Sequence, residues 1–203
     1  MQPLLYTGGF VQTNGYVIPL DDGTVCVIDA PSGISGWLAG RNLRASHLLL
    51  THQHYDHVED AATLQKDGAR VHAWAAYSKL LTLEDFGRSW GMPIQVEPFT
   101  VDEVLEGKEA LEWPGVSFSL AHVPGHALDA VNFHCAREAV VFCGDTVFAG
   151  SIGRTDLPGG NHDLLIGGIS RHVLGLPPET RLFPGHGPDT SVGREAKSNP
   201  YLA

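Results

Sequence analysis

The chain has 203 residues, 43% of them hydrophobic, and 13 basic against 23 acidic residues give it a formal charge of −10. That length supports one domain with a substantial core. The acidic balance, with no Lys/Arg clusters, argues against a nucleic-acid partner, which needs a cationic face.

Strands are expected near 14–20 and 24–29, joined as a hairpin through Asp21-Asp22-Gly23. A helix follows Ser32 or Ser35, and a buried strand at 46–50 ends in the polar run that begins at Thr51. A helix near 58–66 carries Val58, Ala61, Ala62 and Leu64 on its apolar side, and 69–73 returns as a strand. Residues 74–92 mix Trp74, Tyr77, Leu80, Leu81, Phe86 and Trp90 with charges, a spacing compatible with helix and loop over the polar run, where the aromatics serve either core packing or the wall of a substrate pocket. Strands near 94–99, 116–121, 131–135 and 139–143 follow, then helices near 161–174 and 191–198. No linker or low-complexity stretch interrupts the chain, so residues 1–203 are expected to form a single domain. The sequence does not reveal its oligomeric state.

Cys26, Cys135 and Cys143 lie in apolar β-like runs without a CxxC, which predicts small hydrophobes rather than disulfides and favours a reducing compartment. Met1-Gln2-Pro3-Leu4-Leu5-Tyr6 lacks the basic start and apolar core of a secretion signal. No stretch approaches the ~20 apolar residues of a membrane span. The expected location is therefore cytoplasmic, away from membranes.

Chemistry concentrates in Thr51-His52-Gln53-His54-Tyr55-Asp56-His57, where three imidazoles and a carboxylate fall within six positions. Such a cluster points to a metal site. The mixture of nitrogen and carboxylate donors favours a borderline ion such as zinc, with iron or manganese as alternatives, over calcium or magnesium. His52 and His54 alternate as on an extended segment, whereas Asp56 and His57 break the alternation. Two divergent ligand sets, and hence two divalent ions, follow from that break.

Three further strand ends each deliver one candidate ligand. Val116–Ala121 leads to His126 through Pro124-Gly125, Ala139–Cys143 leads to Asp145 through Gly144, and Arg181–Phe183 leads to His186 through Pro184-Gly185. A glycine directly precedes each ligand and permits the turn that aims it. The remaining histidines, His47, His72, His122, His134, His162 and His172, are read as surface or hydrogen-bonded residues.

This five-part pattern resembles the metallo-β-lactamase superfamily, whose His-x-His-x-Asp-His motif is followed by a lone His, an Asp and a final His. The resemblance runs from about Gly15 to Leu202. It implies an α/β fold, a four-layer αββα sandwich with the metal site at one edge of two sheets. Carried over position by position, it gives one ion His52, His54 and His126, the other Asp56, His57 and His186, and makes Asp145 the bridge. Gly144–Leu157 is similar to the glyoxalase II branch, and Pro184–Thr190 with Asn199-Pro200-Tyr201-Leu202 to its short bacterial relatives.

The chain departs from that branch in two respects. Pro124-Gly125-His126-Ala127-Leu128-Asp129 stands where the branch carries Pro-Gly-His-Thr-x-Gly. Asp129 there is either an acceptor for a ligand N–H or an exposed loop carboxylate. Only 17 residues follow His186 in the sequence, so glutathione recognition through the C-terminal helical domain of that branch is not expected. Arg154 and Asp156 are expected to brace the Asp145 loop through a charge-assisted bond.

The function so implied is a dinuclear metal-dependent hydrolase of small acyl substrates, a thioester first and a lactone or ester next. A shared water acidified by two ions would be the nucleophile, with Asp56 and Asp145 as the catalytic carboxylates. The rival within the same superfamily is a persulfide dioxygenase, in which His52, His126 and Asp145 hold a single iron. A metal-loaded binding module without catalysis is the third option.

Overall fold

A computed structural model describes residues 2–202. The chain divides into two compact units, Gln2–Glu106 and the residues from Gly107 onward. Each contains one six-stranded mixed sheet with helices, so the α/β class expected from the sequence is what the chain adopts.

The first unit runs β1 (Leu4–Gly8), β2 (Thr13–Pro19), β3 (Val25–Ile28), α1 (Ile34–Ala39), β4 (Ala45–Leu49), α2 (Tyr55–Val58), α3 (Ala61–Lys66), β5 (Arg70–Ala73), α4 (Lys79–Thr82), α5 (Glu84–Ser89) and β6 (Glu103–Val104). Its strands lie in sequence order, antiparallel from β1 to β3 and parallel from β3 to β6. Of the parallel strands, β3 is an unbroken apolar run and β4 ends in Leu48-Leu49, as suits a sheet covered by helical crossovers, whereas β5 and β6 interpose Arg70, His72 and Glu103. Val27, Leu48, Leu50 and Val71 from the sheet pack with Ile34, Leu38, Val58, Ala61 and Leu64 from the helices. Because β3, β4 and β5 are parallel, the loops after Ile28, Leu49 and Ala73 leave the same end of the sheet, where α/β proteins place their chemistry.

The second unit runs β7 (Ala110–Trp113), β8 (Val116–His122), β9 (Val131–Cys135), a 3₁₀ turn (Ala136–Glu138), β10 (Val140–Gly144), β11 (Val147–Phe148), β12 (Ser151–Ile152), α6 (His162–His172), β13 (Arg181–Pro184), β14 (Thr190–Ser191) and α7 (Val192–Ser198). Its large sheet has the order β14-β13-β10-β9-β8-β7, with β10 and β13 parallel. Val141, Cys143 and Leu182 pack with Leu165, Ile169 and Val173 of α6.

Two expected elements come out differently. The helix over 58–66 is two short helices, α2 and α3. Asp60 breaks them by turning its carboxylate onto the N–H and hydroxyl of Ser35 at 2.9 and 2.7 Å. The strand near 94–99 is an extended stretch outside any sheet, although Ile94 and Val96 are buried in alternation and Phe99 is buried after the exposed pair Glu97-Pro98. Pro93 and Pro98 cannot donate to a ladder, and the N–H groups of Val96 and Thr100 are taken by Glu84 Oε2 (3.0 Å) and Gln65 Oε1 (2.9 Å). The short strands β1, β6, β7, β11, β12 and β14 lack the apolar length that would announce them.

The three cysteines are buried thiols, as their apolar settings predict. Among the described residues no helix is long and apolar enough to cross a membrane.

Candidate metal centre

In the first unit the four motif residues occupy the loop after β4 and the start of α2. His54 is extended (φ −57°, ψ 146°) and serves as N-cap, so Asp56 and His57 fall in the helix's first turn and leave the alternation of His52 and His54. All four are buried. The rings of His52 and His54 meet edge-on at 4.5 Å between centroids, and those of His52 and His57 lie 4.0 Å apart. The His57 N–H bonds to the His54 carbonyl (2.9 Å), and the His57 carbonyl accepts the Ala30 N–H (2.8 Å), which stitches the loop to the end of β3.

Asp29 organises this loop. It follows β3 with φ 61°, a left-handed conformation that aspartate tolerates better than most residues. Its carboxylate accepts three bonds: the Thr51 N–H (2.8 Å), the Thr51 hydroxyl (2.7 Å) and His57 Nδ1–H (2.8 Å). A carboxylate only accepts, so the His57 proton is on Nδ1 and Nε2 is the acceptor nitrogen. Thr51 spends its single hydroxyl hydrogen on Asp29, so the 3.2 Å contact with His52 Nδ1 has the imidazole as donor. His52 therefore also presents Nε2 as a Lewis base. Asp56 is held from the other side by the Thr13 hydroxyl, which donates to Oδ2 at 2.6 Å.

In the second unit His126 follows β8, Asp145 follows β10 and His186 follows β13. Gly125 (φ 136°) and Gly144 (φ 46°) make the turns before their ligands, and a side chain at 125 would come within 2.5 Å of the Leu165 nitrogen. At the third site Gly187, after His186, takes the positive φ instead of Gly185. Register slips between β10 and β13 at Phe142/Gly144, and the Gly185 N–H bonds to the Gly144 carbonyl (2.8 Å), so the Asp145 and His186 loops are fastened together. His126 Nδ1–H donates to the Arg154 carbonyl at 2.9 Å, which again fixes Nε2 as the acceptor.

Asp145 Oδ2 lies 3.4 Å from His126 Nε2 and 3.5 Å from His186 Nε2, and His57 Nε2 lies 3.4 Å from Asp56 Oδ2. These separations exceed an N–H···O bond. They match the ~3.3–3.4 Å between neighbouring donors that each stand ~2.0–2.1 Å from one tetrahedral ion. With Nδ1 of three imidazoles engaged by outer acceptors, the donor set fits a divalent ion on chemical grounds as well.

Arg154 and Asp156 form the expected bidentate pair at 2.7 and 2.8 Å, and the guanidinium holds the Asp156 carboxyl down at about 2. It is the Arg154 main chain, however, that meets His126. Asp129 is buried, which corrects its reading as an exposed loop carboxylate, and the acceptor for His126 Nδ1–H is the Arg154 carbonyl. Glu195 braces the same loop: its carboxylate accepts the Gly150 N–H (2.9 Å), the Thr190 hydroxyl (2.5 Å) and the Asn199 amide (2.8 Å).

Sequence reasoning missed Asp29, although it ends an apolar strand just as the ligands do. Thr13 and Glu195 carry no sequence signal. Of the other histidines, His72 is fully buried between His47 Nδ1 (3.0 Å) and Glu103 (3.0 Å), and burial pushes its pKa down to about 4. His122 Nε2 meets the Leu128 carbonyl at 2.9 Å.

Comparison with known proteins draws on both units. A family model described as the metallo-beta-lactamase superfamily matches residues 8–186, a span that takes in all seven candidate ligands. Hydroxyacylglutathione hydrolase GloC of Haemophilus influenzae is 34% identical over 94% of this chain and 93% of its own. Among solved structures, BLEG-1 B3 metallo-beta-lactamase aligns with a TM-score of 0.88 at 33% identity over the whole of both chains. TTHA1623, solved in a di-iron-bound form, aligns with a TM-score of 0.82 at 35% identity over 98% of this chain and 100% of its own.

Proposed function

The chain belongs to the metallo-β-lactamase superfamily and has the fold of that family, and from this premise we propose that it is a dinuclear metal-dependent hydrolase of small acyl thioesters. The proposal makes residues 1–203 one domain. His52, His54 and His126 would hold one ion, Asp56, His57 and His186 the other, and Asp145 would bridge them. Zinc is the first expectation and iron or manganese the alternative. Similarity to a hydroxyacylglutathione hydrolase supports the thioester, with lactones and other esters next.

The observation that carries this reading is the proton inventory of the imidazoles. His52, His57 and His126 are each compelled by an outer acceptor to offer Nε2, and Asp145 Oδ2 stands at co-ligand distance from one histidine of each set.

When bound, a pair of divalent ions supplies a water acidified towards neutral pH and a Lewis acid for a carbonyl oxygen. The chain's own residues do the rest. Asp29 and the Arg154 carbonyl hold the imidazole rings in one tautomer and orientation. Thr13 fixes Oδ2 of Asp56, which leaves that carboxylate poised to orient the attacking water and accept its proton. Addition of water to the acyl carbon and rupture of the C–S bond release an acid and a thiol, to which Asp56 returns the proton. A cytoplasmic location belongs to the same proposal.

The test is the metal content of protein purified without added ions, measured beside thiol release from acyl-thioesters and oxygen uptake on glutathione persulfide. Two ions per chain with thiol release is the expected result. One iron with oxygen uptake would overturn it in favour of a dioxygenase.

A further inference from the structure

Residues 74–92 are tied to the ligand loop in two places. They leave β5 at the sheet end where the ligand loop leaves the adjacent, parallel β4. Gln53, buried between His52 and His54 in sequence, donates its amide to the carbonyls of Ala75 (3.0 Å) and Ala76 (3.3 Å). Tyr55, between His54 and Asp56, points its hydroxyl at Met92 Sδ (3.9 Å). Met92 and Ile94 in turn pack against Gly87 of α5, where a side chain would collide with them.

Between these anchors the segment exposes apolar surface. Leu80 is 85% and Trp90 57% exposed, and the Phe86 and Trp90 rings lie 4.6 Å apart, one turn of α5 from each other. The turn joining α4 to α5 passes through Leu83 at φ 52°, a conformation leucine rarely adopts and one that fixes the angle between the two short helices. The cations of the segment are already committed: Lys79 and Arg88 both pair with the buried Glu84, and Arg88 also bonds to Asp85 and the Ile94 carbonyl. The segment therefore offers contact to hydrocarbon and no spare positive charge to a carboxylate.

Resting on the hydrolase reading above, we propose that Leu80, Phe86 and Trp90 form the apolar wall that selects the acyl group, and that the preferred substrate carries a medium, uncharged hydrocarbon acyl chain. The wall belongs to the element clamped on the ligand loop, so a chain extending from the reacting carbonyl runs onto it.

The experiment pairs kinetics with binding. On metal-loaded protein, kcat/KM is measured for acetyl, butyryl and hexanoyl thioesters of N-acetylcysteamine, a thiol without charge. The hexanoyl to acetyl ratio is expected to reach about tenfold or more, the scale of four methylenes partly removed from water. In the L80S/W90A variant it should fall towards one. Calorimetry with S-hexyl-N-acetylcysteamine, a thioether that cannot be hydrolysed, should give a Kd at least ~5-fold weaker in the variant. Loss of thioether binding in a protein that cleaves no thioester would retain the wall and remove the hydrolase. Equal thioether affinity in the two proteins, or equal chain-length ratios, would overturn the wall and leave the hydrolase reading intact.

Discussion

The first unit draws four candidate ligands from six consecutive positions of one loop, and the second draws three from the ends of β8, β10 and β13. The compact set is held by side chains: Asp29 gathers Thr51 and His57, and Thr13 holds Asp56. The dispersed set is held by main chain, through the Arg154 carbonyl and the Gly185–Gly144 bond, with Glu195 buttressing behind. A loop that carries several ligands must suppress their many rotamers and alternative bonds, which calls for a buried acceptor with several sites. Ligands that arrive singly on strand ends inherit their placement from the sheet and need only a turn and one acceptor each.

Removing a ligand tests whether both groups serve one centre. His186→Ala is expected to lower kcat/KM on an acyl-thioester by at least ~100-fold, the scale for disrupting a metal-activated nucleophile, and to reduce the metal content below two per chain. Full activity with one tightly held iron in this variant would separate the second unit's ligands from the chemistry.

Asp29 tests the side-chain plan. Asp29→Ala deletes the acceptor of three buried donors at once, so metal affinity should fall 10- to 100-fold. Stability should fall by about 3 kcal/mol, since donors left buried without acceptors cost ~1–3 kcal/mol each and part of that cost is relieved by water. Equilibrium dialysis against zinc and urea unfolding check the two effects. Asp29→Asn, which keeps one acceptor oxygen, should recover part of each. An affinity loss without any stability change would mean that Asp29 tunes the ligand alone.

Much of this centre was legible before any coordinates. All seven candidate ligands carry a signal, because each is a metal-binding residue type in the loop or turn that follows an apolar strand, and type and position are both local properties. Asp29 has the same signal but stands alone, without a glycine or a second ligand beside it, and so does not stand out. Thr13, Glu195 and the Arg154 carbonyl were beyond reach: their partners lie 43, 45 and 28 positions away, and neither a hydroxyl on a strand nor a peptide carbonyl is marked by composition. The main strands and the helices α6 and α7 follow the apolar pattern to within two residues, whereas the bounds of α4 and α5 are not marked by it. The stretch 94–99 misled because alternating burial and β-pairing usually coincide, and two prolines together with side-chain acceptors separated them here.

The first unit also carries a polar ladder away from the ligand loop, and it titrates. His72 is buried with its pKa depressed to about 4 by desolvation, so the folded protein favours the neutral ring. The stability tied to this burial is complete above the ordinary value near 6.5 and is lost as the pH falls towards 4. At ~1.4 kcal/mol per unit the loss comes to about 2–3 kcal/mol between pH 7 and pH 4. Urea midpoints across that range should fall more steeply for the wild-type protein than for His72→Gln. His47, depressed in the same direction, adds to the same window, and parallel slopes in the two proteins would remove His72 from the account.

The smallest effect is expected where main chain replaces side chain. Arg154→Ala removes a guanidinium whose bidentate partner, Asp156, is exposed, and exposed pairs of this kind are weakened by solvent and salt. The group that orders His126 is the peptide carbonyl of residue 154, which alanine keeps. Zinc affinity should therefore change by less than about threefold, and the difference should shrink further in 0.5 M salt. A tenfold loss would mean that the ion pair holds the carbonyl in place, and the contrast between a side-chain plan in one unit and a main-chain plan in the other would give way to two loops that both depend on a carboxylate.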